Sequence, residues 1–212
     1  MALYYSHETS SNPNVGDMKN PSFNRKPLEG GYPQGDCDKV TVLDLLKSLI
    51  EEHRENVNII GHSAGGWVAS KVAMLGLQMK TRKARDLSGV VSILYMGAFV
   101  IPVGKSIHSL FQPKAEHTKQ GVMGLETKTT TTSPVITSVL TNDALSVLPC
   151  AYLVLGNNLT TPKEYQEGIV ALHSQKTGPL TMYRCPAGHS LHLSWTEGLA
   201  DIVRDFARKI EG

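Results

Sequence analysis

The chain has 212 residues and a formal net charge of +2, from 21 basic and 19 acidic residues. This length suits one α/β domain with a substantial core and is too short for two of ordinary size, so we expect a single domain over residues 1–212. The balanced charge predicts neither a nucleic-acid partner nor binding to an anionic membrane. No run approaches ~18 apolar residues and the first residues do not resemble a signal peptide, so we expect a cytoplasmic protein.

The three cysteines, Cys37, Cys150 and Cys185, are widely spaced and include no CxxC pair. We therefore expect reduced thiols rather than a disulfide framework. No set of Cys and His residues has the spacing of a metal site, so the sequence predicts no metal ion. Nothing in it indicates a cofactor.

Short apolar runs alternate with helical patterns along the chain. One plausible strand near Ala2–Tyr5 precedes residues 8–36, which are rich in Ser, Asn, Pro and Gly and are predicted to be loop. Apolar side chains at helical spacing predict an amphipathic helix over residues 38–55. Later strands are predicted near 57–60, 89–96, 151–155 and 180–184, and helices near 162–174 and 196–210. This alternation predicts an α/β fold with a mostly parallel sheet flanked by helices.

The second predicted strand runs directly into Gly61-His62-Ser63-Ala64-Gly65-Gly66, and a helix-forming segment follows from Trp67 to about Met79. A Gly-x-Ser-x-Gly run between a buried strand and a helix is typical of a nucleophile elbow, in which a strained turn exposes the serine. The bare motif also occurs by chance, and its strand–turn–helix context makes it specific. We expect Ser63 to be a nucleophile and the Ala64 N–H to support an oxyanion.

About fifty residues, 102–149, separate the predicted strands 89–96 and 151–155, and they include the polar run Thr129-Thr130-Thr131-Thr132. A structureless loop of that length is unusual inside a compact domain. We expect a lid over the site, with a plain insertion as the alternative.

A nucleophilic serine needs a base, and His189 is the best placed histidine. It follows the last predicted strand within Pro186-Ala187-Gly188-His189-Ser190, where small residues let a loop approach the elbow. His192 is a minor competitor, and His62 cannot serve as base for its own neighbour. Four further histidines are expected to be solvated: His53, His108, His117 and His173.

Four separated motifs resemble the α/β-hydrolase superfamily, in particular the fungal and bacterial small-esterase branch related to plant methylesterases and hydroxynitrile lyases. They are Gly61–Gly66, Leu94–Gly104, Pro162–Gln166 and Ala187–Ser190. The resemblance covers residues ~30–212 and implies hydrolysis of a small carboxylic ester or related acyl compound, through an acyl-enzyme on Ser63, often in secondary metabolism. Near the elbow we expect His62 and Trp67 to contact substrate, with core packing as the alternative for Trp67.

The chain departs from that family at the position of the catalytic acid. The family places a carboxylate four or five residues before the proline of its Pro-x-x-x-Gln pattern, and here those positions are Asn157 and Asn158. We take Asn158 as the acid position and Asn157 as its neighbour. An asparagine carries no charge and can favour the wrong histidine tautomer. Carboxylates that could substitute are Asp143, Glu164 and Glu167.

The second departure lies before the elbow, where the family has several strands and a His-Gly loop that completes the oxyanion hole. This chain has one plausible strand there and no His-Gly pair. The resemblance therefore implies an α/β-hydrolase-like sheet without the early strands, an exposed sheet edge that favours a homodimer or poor solubility, and a weakened oxyanion hole.

Two other functions stay open. The missing carboxylate and oxyanion loop would suit a non-catalytic relative that acts as a binding or partner protein. A lyase or cyclase on the same fold would use His189 as base without an acyl-enzyme. Covalent labelling of Ser63 would argue against the first. Turnover that survives Ser63→Ala but not His189→Ala would favour the second.

Overall fold

The structure is a computed structural model that describes residues 2–6, 36–82, 88–111, 137–178 and 180–211. Its five strands are β1 (Ala2–Ser6), β2 (Asn56–His62), β3 (Val90–Met96), β4 (Cys150–Leu155) and β5 (Thr181–Cys185). Its α-helices are α1 (Asp36–Lys47), α2 (Gly65–Val72), α3 (Met79–Arg82), α4 (Ile107–Phe111), α5 (Lys163–Thr177), α6 (Leu191–Ser194) and α7 (Thr196–Glu211). A π-helical turn, Ser48–Glu52, continues α1, and a 3₁₀ turn, Leu75–Leu77, follows α2.

The strands form one sheet in the order β1-β2-β3-β4-β5. Strands β2 to β5 are parallel, which confirms the predicted mostly parallel sheet. Strand β1 is antiparallel to β2, with Ala2 opposite Ile60 and Ser6 opposite Asn56. The carboxyl ends of β2 to β5 therefore share one edge of the sheet, and the loops after them come together there.

Strands β3 and β4 are buried on both faces of the sheet, which explains their continuous apolar runs. Successive strand residues alternate between two cores: Ile93 and Tyr152 contribute to one, Leu94 and Leu153 to the other. Helices α1, α2 and α5 cover the first face, and α6 and α7 cover the second. Helix α7 packs through an apolar stripe at helical spacing: Leu199, Ile202, Val203, Phe206 and Ile210.

Helix α2 ends at Val72, whereas the sequence predicts a helix continuing to about Met79. Side-chain amides donate to the carbonyls that further helical turns would use. The Gln78 amide donates to the Ala73 carbonyl at 2.9 Å, and the Asn142 amide donates to the Ser70 carbonyl. These bonds satisfy the end of the helix, and the chain turns away into the 3₁₀ segment.

The predicted lid is described only at its two ends. Helix α4 belongs to the first end, and residues 137–149 form the second, where Leu140 and Ala144 are buried. The Lys71 ammonium donates to the Val139 carbonyl at 2.8 Å and fixes this arm to α2. Residues 112–136, including the threonine run, and most of the predicted N-terminal loop lie outside the described residues. None of the helices in the described ranges is long and apolar enough to span a membrane.

Replacing Gly66 with alanine should destabilise the fold, because α2 touches the loop after β3 at this glycine. A Cβ at position 66 would lie 2.7 Å from the Ala98 Cβ and 2.9 Å from the Phe99 carbonyl oxygen. We expect Gly66→Ala to lower the free energy of unfolding by roughly 1–3 kcal/mol. Gly76→Ala is the matched control, since a Cβ there meets nothing within 4 Å. Urea unfolding that gave equal losses in both variants would contradict the close packing.

Candidate active site

Ser63 lies in the tight turn between β2 and α2, in the left-handed region with φ = 55°. A non-glycine residue there is strained and persists only when its surroundings hold it. The Ser63 N–H donates to the Met96 carbonyl at 3.4 Å. Its carbonyl accepts from the N–H groups of Gly66 at 3.1 Å and Phe99 at 3.0 Å. Three backbone contacts therefore hold the serine in place at the carboxyl edge of the sheet.

Gly61 explains why the turn can be so tight. A Cβ at position 61 would lie 2.8 Å from the Gly66 Cα and 3.0 Å from the Gly65 carbonyl oxygen. Strand β2 and helix α2 thus approach each other so closely that no side chain fits between them.

The Ala64 N–H stands at the amino end of α2 and forms no hydrogen bond with any residue of the described ranges. A free N–H at a helix start, beside the serine, can support a developing oxyanion. Strand β1 occupies the sheet position next to β2 but runs the opposite way. The chain therefore leaves β1 at the sheet edge opposite Ser63, so the segment directly after β1 does not start at the elbow.

Asn158 and His189 meet where the loops after β4 and β5 converge. The His189 Nδ1 lies 3.2 Å from the Asn158 Oδ1. The same oxygen accepts from the backbone N–H groups of Thr160 at 3.0 Å and Thr161 at 3.2 Å. Because N–H groups can donate only to the oxygen of the amide, these two bonds fix its orientation. The amide therefore presents oxygen to His189, which holds the proton on Nδ1 and leaves Nε2 as the basic nitrogen.

The other half of the Asn158 amide has no partner. Asn158 is 3% exposed, and its Nδ2 finds no acceptor in the part of the chain that the structure describes. This nitrogen faces Gly97, where a Cβ would lie 3.0 Å from it. A buried donor without an acceptor costs about 1–3 kcal/mol, and such groups concentrate at functional sites.

Asn157 and Gln166 hold the two loops in register. The Asn157 amide donates to the Pro186 carbonyl at 2.6 Å, so this side chain joins the loop after β4 to the loop after β5. The buried Gln166 side chain accepts from the Leu155 N–H at 2.9 Å and donates to the Leu155 carbonyl at 3.0 Å and the Thr161 carbonyl at 2.6 Å. Sequence reasoning noted Gln166 within a motif and missed this role. The sequence signal for this role was a single amide side chain at a sheet-facing position of the predicted helix 162–174.

His62 and His192 complete a group of three histidines. The His62 ring centroid lies 4.7 Å from that of His189 and 5.6 Å from that of His192. The His62 Nε2 also lies 2.8 Å from the His189 carbonyl oxygen. Burial, helped by the two neighbouring imidazoles, lowers the pKa of His62 to about 4. Burial, and then His192, also holds the pKa of His189 below its usual value.

Trp67 and His173 are both buried. Trp67 is 2% exposed and packs in the first core, so it presents no surface to a substrate and has the packing role that the sequence left open. The expectation that His173 is solvated is wrong: it is 4% exposed, and its Nε2 lies 3.1 Å from the Val100 carbonyl oxygen. Position 173 on the sheet-facing side of α5 accounts for its burial.

None of the substitute carboxylates contacts His189. Asp143 accepts from the N–H and hydroxyl of Ser146, and Glu167 pairs with Arg184 at 3.2 Å. Glu164 lies on the exposed side of α5. Within the described ranges, Cys150 and Cys185 are buried free thiols, and no group of three or more His, Cys, Asp or Glu side chains could hold a metal ion.

No protein-family model matches the chain, and no curated protein matches its sequence. Solved structures do match. A pyrethroid hydrolase from Sphingobium faniae is 18% identical with a TM-score of 0.59, over 86% of this chain and 82% of that one. A polyneuridine aldehyde esterase is 13% identical with a TM-score of 0.54, over 82% of this chain and 80% of that one. The chain thus has the α/β-hydrolase fold, as its sequence motifs predict.

Replacing Ser63 with glycine should stabilise the protein relative to Ser63→Ala. Both variants remove the hydroxyl, but only glycine relieves the left-handed strain at φ = 55°. We expect Ser63→Gly to unfold at a higher urea concentration, with a difference of about 1 kcal/mol. Equal unfolding midpoints for the two variants would mean that the elbow stores no strain.

Acid should destabilise the protein partly through His62. The unfolded chain binds a proton on this residue below pH 6.5, whereas burial delays its protonation in the folded protein to about pH 4. The neutral His62 therefore makes its full contribution to stability above pH 6.5, and this contribution is lost as the pH falls towards 4. His62→Gln should lose less stability across this window in urea unfolding at stepped pH. A loss equal to that of the parent protein would contradict the neutral buried state. His173 and His189, whose pKa values are also lowered, contribute in both proteins.

Proposed function

We propose that the protein is a serine hydrolase that acts on a small carboxylic ester or related acyl compound. Ser63 is the nucleophile, His189 the general base, and the Ala64 N–H the oxyanion donor. One observation carries the proposal: the Asn158 oxygen, oriented by two backbone N–H groups, faces His189 Nδ1. This arrangement leaves Nε2 of a histidine next to the elbow free to take a proton.

The reaction balances as an acyl transfer in two halves. The Ser63 Oγ bonds to the ester carbonyl carbon while His189 Nε2 takes the hydroxyl proton. The bond between the carbonyl carbon and the alcohol oxygen then breaks, and His189 returns that proton to the departing alcohol. Water then attacks the acyl-enzyme carbonyl carbon while His189 Nε2 takes one of its protons. The bond between that carbon and the Ser63 Oγ breaks, His189 returns the proton to Oγ, and the carboxylic acid leaves.

The neutral Asn158 sets the expected rate. In the serine-protease triad, an amide in place of the carboxylate lowers kcat by roughly 10⁴, because the histidine takes the wrong tautomer. Here the oriented Asn158 oxygen favours the productive tautomer. What remains missing is a negative charge to stabilise the imidazolium, and the lowered pKa of His189 acts in the same direction. We therefore propose a slow hydrolase.

The surroundings of the site support an ester with an apolar group. Leu159 and Leu193 are 88% and 74% exposed, and they follow Asn158 and His192 directly in the chain. Exposed apolar side chains this close in sequence to the proposed site residues suit recognition of an apolar substrate portion. Both structural neighbours are hydrolases by name, one acting on pyrethroids and one called an esterase.

One observation favours a lyase as the second candidate. Among the described residues, no hydrogen bond joins the Ser63 hydroxyl to His189. A base that works on substrate without a serine partner would suit a lyase step, in which His189 removes a proton and no acyl-enzyme forms. Catalytic contacts often tighten only when substrate binds, so this geometry does not remove the hydrolase from first place.

A fluorophosphonate probe, which reacts covalently with activated serines, tests the proposal. We expect the folded protein to be labelled and labelling to disappear in Ser63→Ala and His189→Ala. His192→Ala is the matched control, because His192 is exposed and its ring also lies near that of His62, with the centroids 5.6 Å apart. Labelling lost in His192→Ala and kept in His189→Ala would assign the base to His192. A folded protein that takes no label would contradict the serine hydrolase, and the lyase or a binding protein would then lead.

Asn158→Asp should accelerate labelling. A carboxylate at this position keeps the acceptor for His189, Thr160 and Thr161 and adds the missing charge. We expect a gain of about tenfold or more and a higher pKa of His189, seen as a shift of the acid limb of the pH–rate profile upwards. Thr160→Asp is the matched control, since it adds the same charge on an exposed side chain two positions away. Equal gains in both variants would show that contact with Nδ1 is unimportant.

A further inference from the structure

We propose that His62 is a positioning residue that holds the backbone of His189, so that the catalytic imidazole is fixed at two points. The inference rests on the proposed function, and it replaces the expectation that His62 contacts substrate. His62 precedes Ser63, so this bond would tie the nucleophile turn directly to the loop of its base.

The hydrogen bond between the two residues carries the argument. The His62 Nε2 lies 2.8 Å from the His189 carbonyl oxygen, across 127 positions of sequence. A carbonyl oxygen can only accept, so Nε2 carries the proton and is fully used by this bond. Its ring also lies against the His189 ring, with centroids 4.7 Å apart at an interplanar angle of 46°. His62 therefore contacts both the main chain and the side chain of the base.

The second point of attachment is weak in this chain, which gives the first its importance. Asn158 holds the His189 ring through a neutral contact of 3.2 Å. Hydrogen bonds to a charged carboxylate are shorter and roughly twice as strong. The other main-chain anchors described for this loop lie on either side of position 189, at the carbonyls of Cys185, Pro186 and Ala187 before it and of Ser190 after it. Position 189 itself is held by His62 on its carbonyl and Asn158 on its ring.

The charge state of His62 suits this role. Burial lowers the pKa of His62 to about 4 and so favours the neutral ring, although the hydrogen bond to the His189 carbonyl acts in the opposite direction. A neutral His62 donates its Nε2–H without placing a positive charge 4.7 Å from the ring that must become an imidazolium during catalysis. No charged side chain is described in contact with His62; its titratable neighbours are His189 and His192.

Two substitutions of similar length separate the hydrogen bond from packing. His62→Gln can place an N–H donor where Nε2 stands, whereas His62→Met fills similar space without a donor. The first readout is the ring tautomer of His189, measured by ¹⁵N NMR of histidine-labelled protein. We expect the Nδ1–H tautomer in the parent protein and in His62→Gln, and a mixture of both tautomers in His62→Met. This readout does not require Ser63 to be reactive.

The second readout is the rate of fluorophosphonate labelling. We expect His62→Met to be slower by about tenfold to a hundredfold, as misplaced catalytic groups are, with His62→Gln close to the parent rate. In an Asn158→Asp background the loss caused by His62→Met should shrink, because the charged bond then holds the ring. This double-mutant cycle measures the coupling between the two attachment points.

The outcomes separate the two proposals. An unchanged His189 tautomer in His62→Met, or equal losses of labelling in His62→Gln and His62→Met, would overturn the positioning role. An NMR effect in a protein that takes no label would support the positioning role and reject the serine hydrolase. If His62→Met does not fold, His62→Asn, whose amide is too short to reach the His189 carbonyl, takes its place.

Discussion

The close crossing of β2 and α2 at Gly61 and Gly66 is the constraint on which the site depends. With no side chain between strand and helix, the turn must pass through a left-handed conformation, and Ser63 occupies it. The Ser63 carbonyl then accepts a hydrogen bond from the Phe99 N–H, and this bond holds the loop after β3 against the turn. One backbone geometry thus presents the serine hydroxyl, leaves the Ala64 N–H without a partner in the part of the chain that the structure describes, and fixes the neighbouring loop.

The sheet brings the other residues of the candidate site to this point through its register. Beyond the last paired residues of β4 and β5, the Gly156 and Asn157 N–H groups donate to the Cys185 and Ala187 carbonyls at 2.8 and 3.1 Å. The ladder therefore continues into the loops that bear Asn158 and His189. Gln166 clamps the same loop from α5. The site is rigid where it is an extension of the sheet, and it depends on side chains only for its last few residues.

The sequence predicted those features that arise locally. Apolar runs identified β3 and β4, and the glycine pattern around Ser63 identified the elbow. Features that depend on distant partners could not be predicted. The orientation of the Asn158 amide is decided by backbone N–H groups that come into place only when the loop folds. The early end of α2 depends on the Asn142 amide, which donates to the Ser70 and Ala73 carbonyls. Asn142 lies 72 and 69 positions after these two residues in the chain. The five residues of β1 carry no sequence pattern that would indicate its antiparallel direction.

The buried amide at position 158 has physical consequences beyond the missing charge. A carboxylate there would have to leave water, and the three N–H groups that now face the Asn158 oxygen would offset that penalty. The asparagine avoids the penalty but buries an Nδ2 that finds no acceptor among the described residues. In the proposed reaction it also leaves the imidazolium of His189 without a negatively charged partner among the described residues. Without that charge, His189 must be positioned by hydrogen bonds to neutral groups. The bond between the His62 Nε2 and the His189 carbonyl oxygen is therefore more important here than it would be beside a carboxylate.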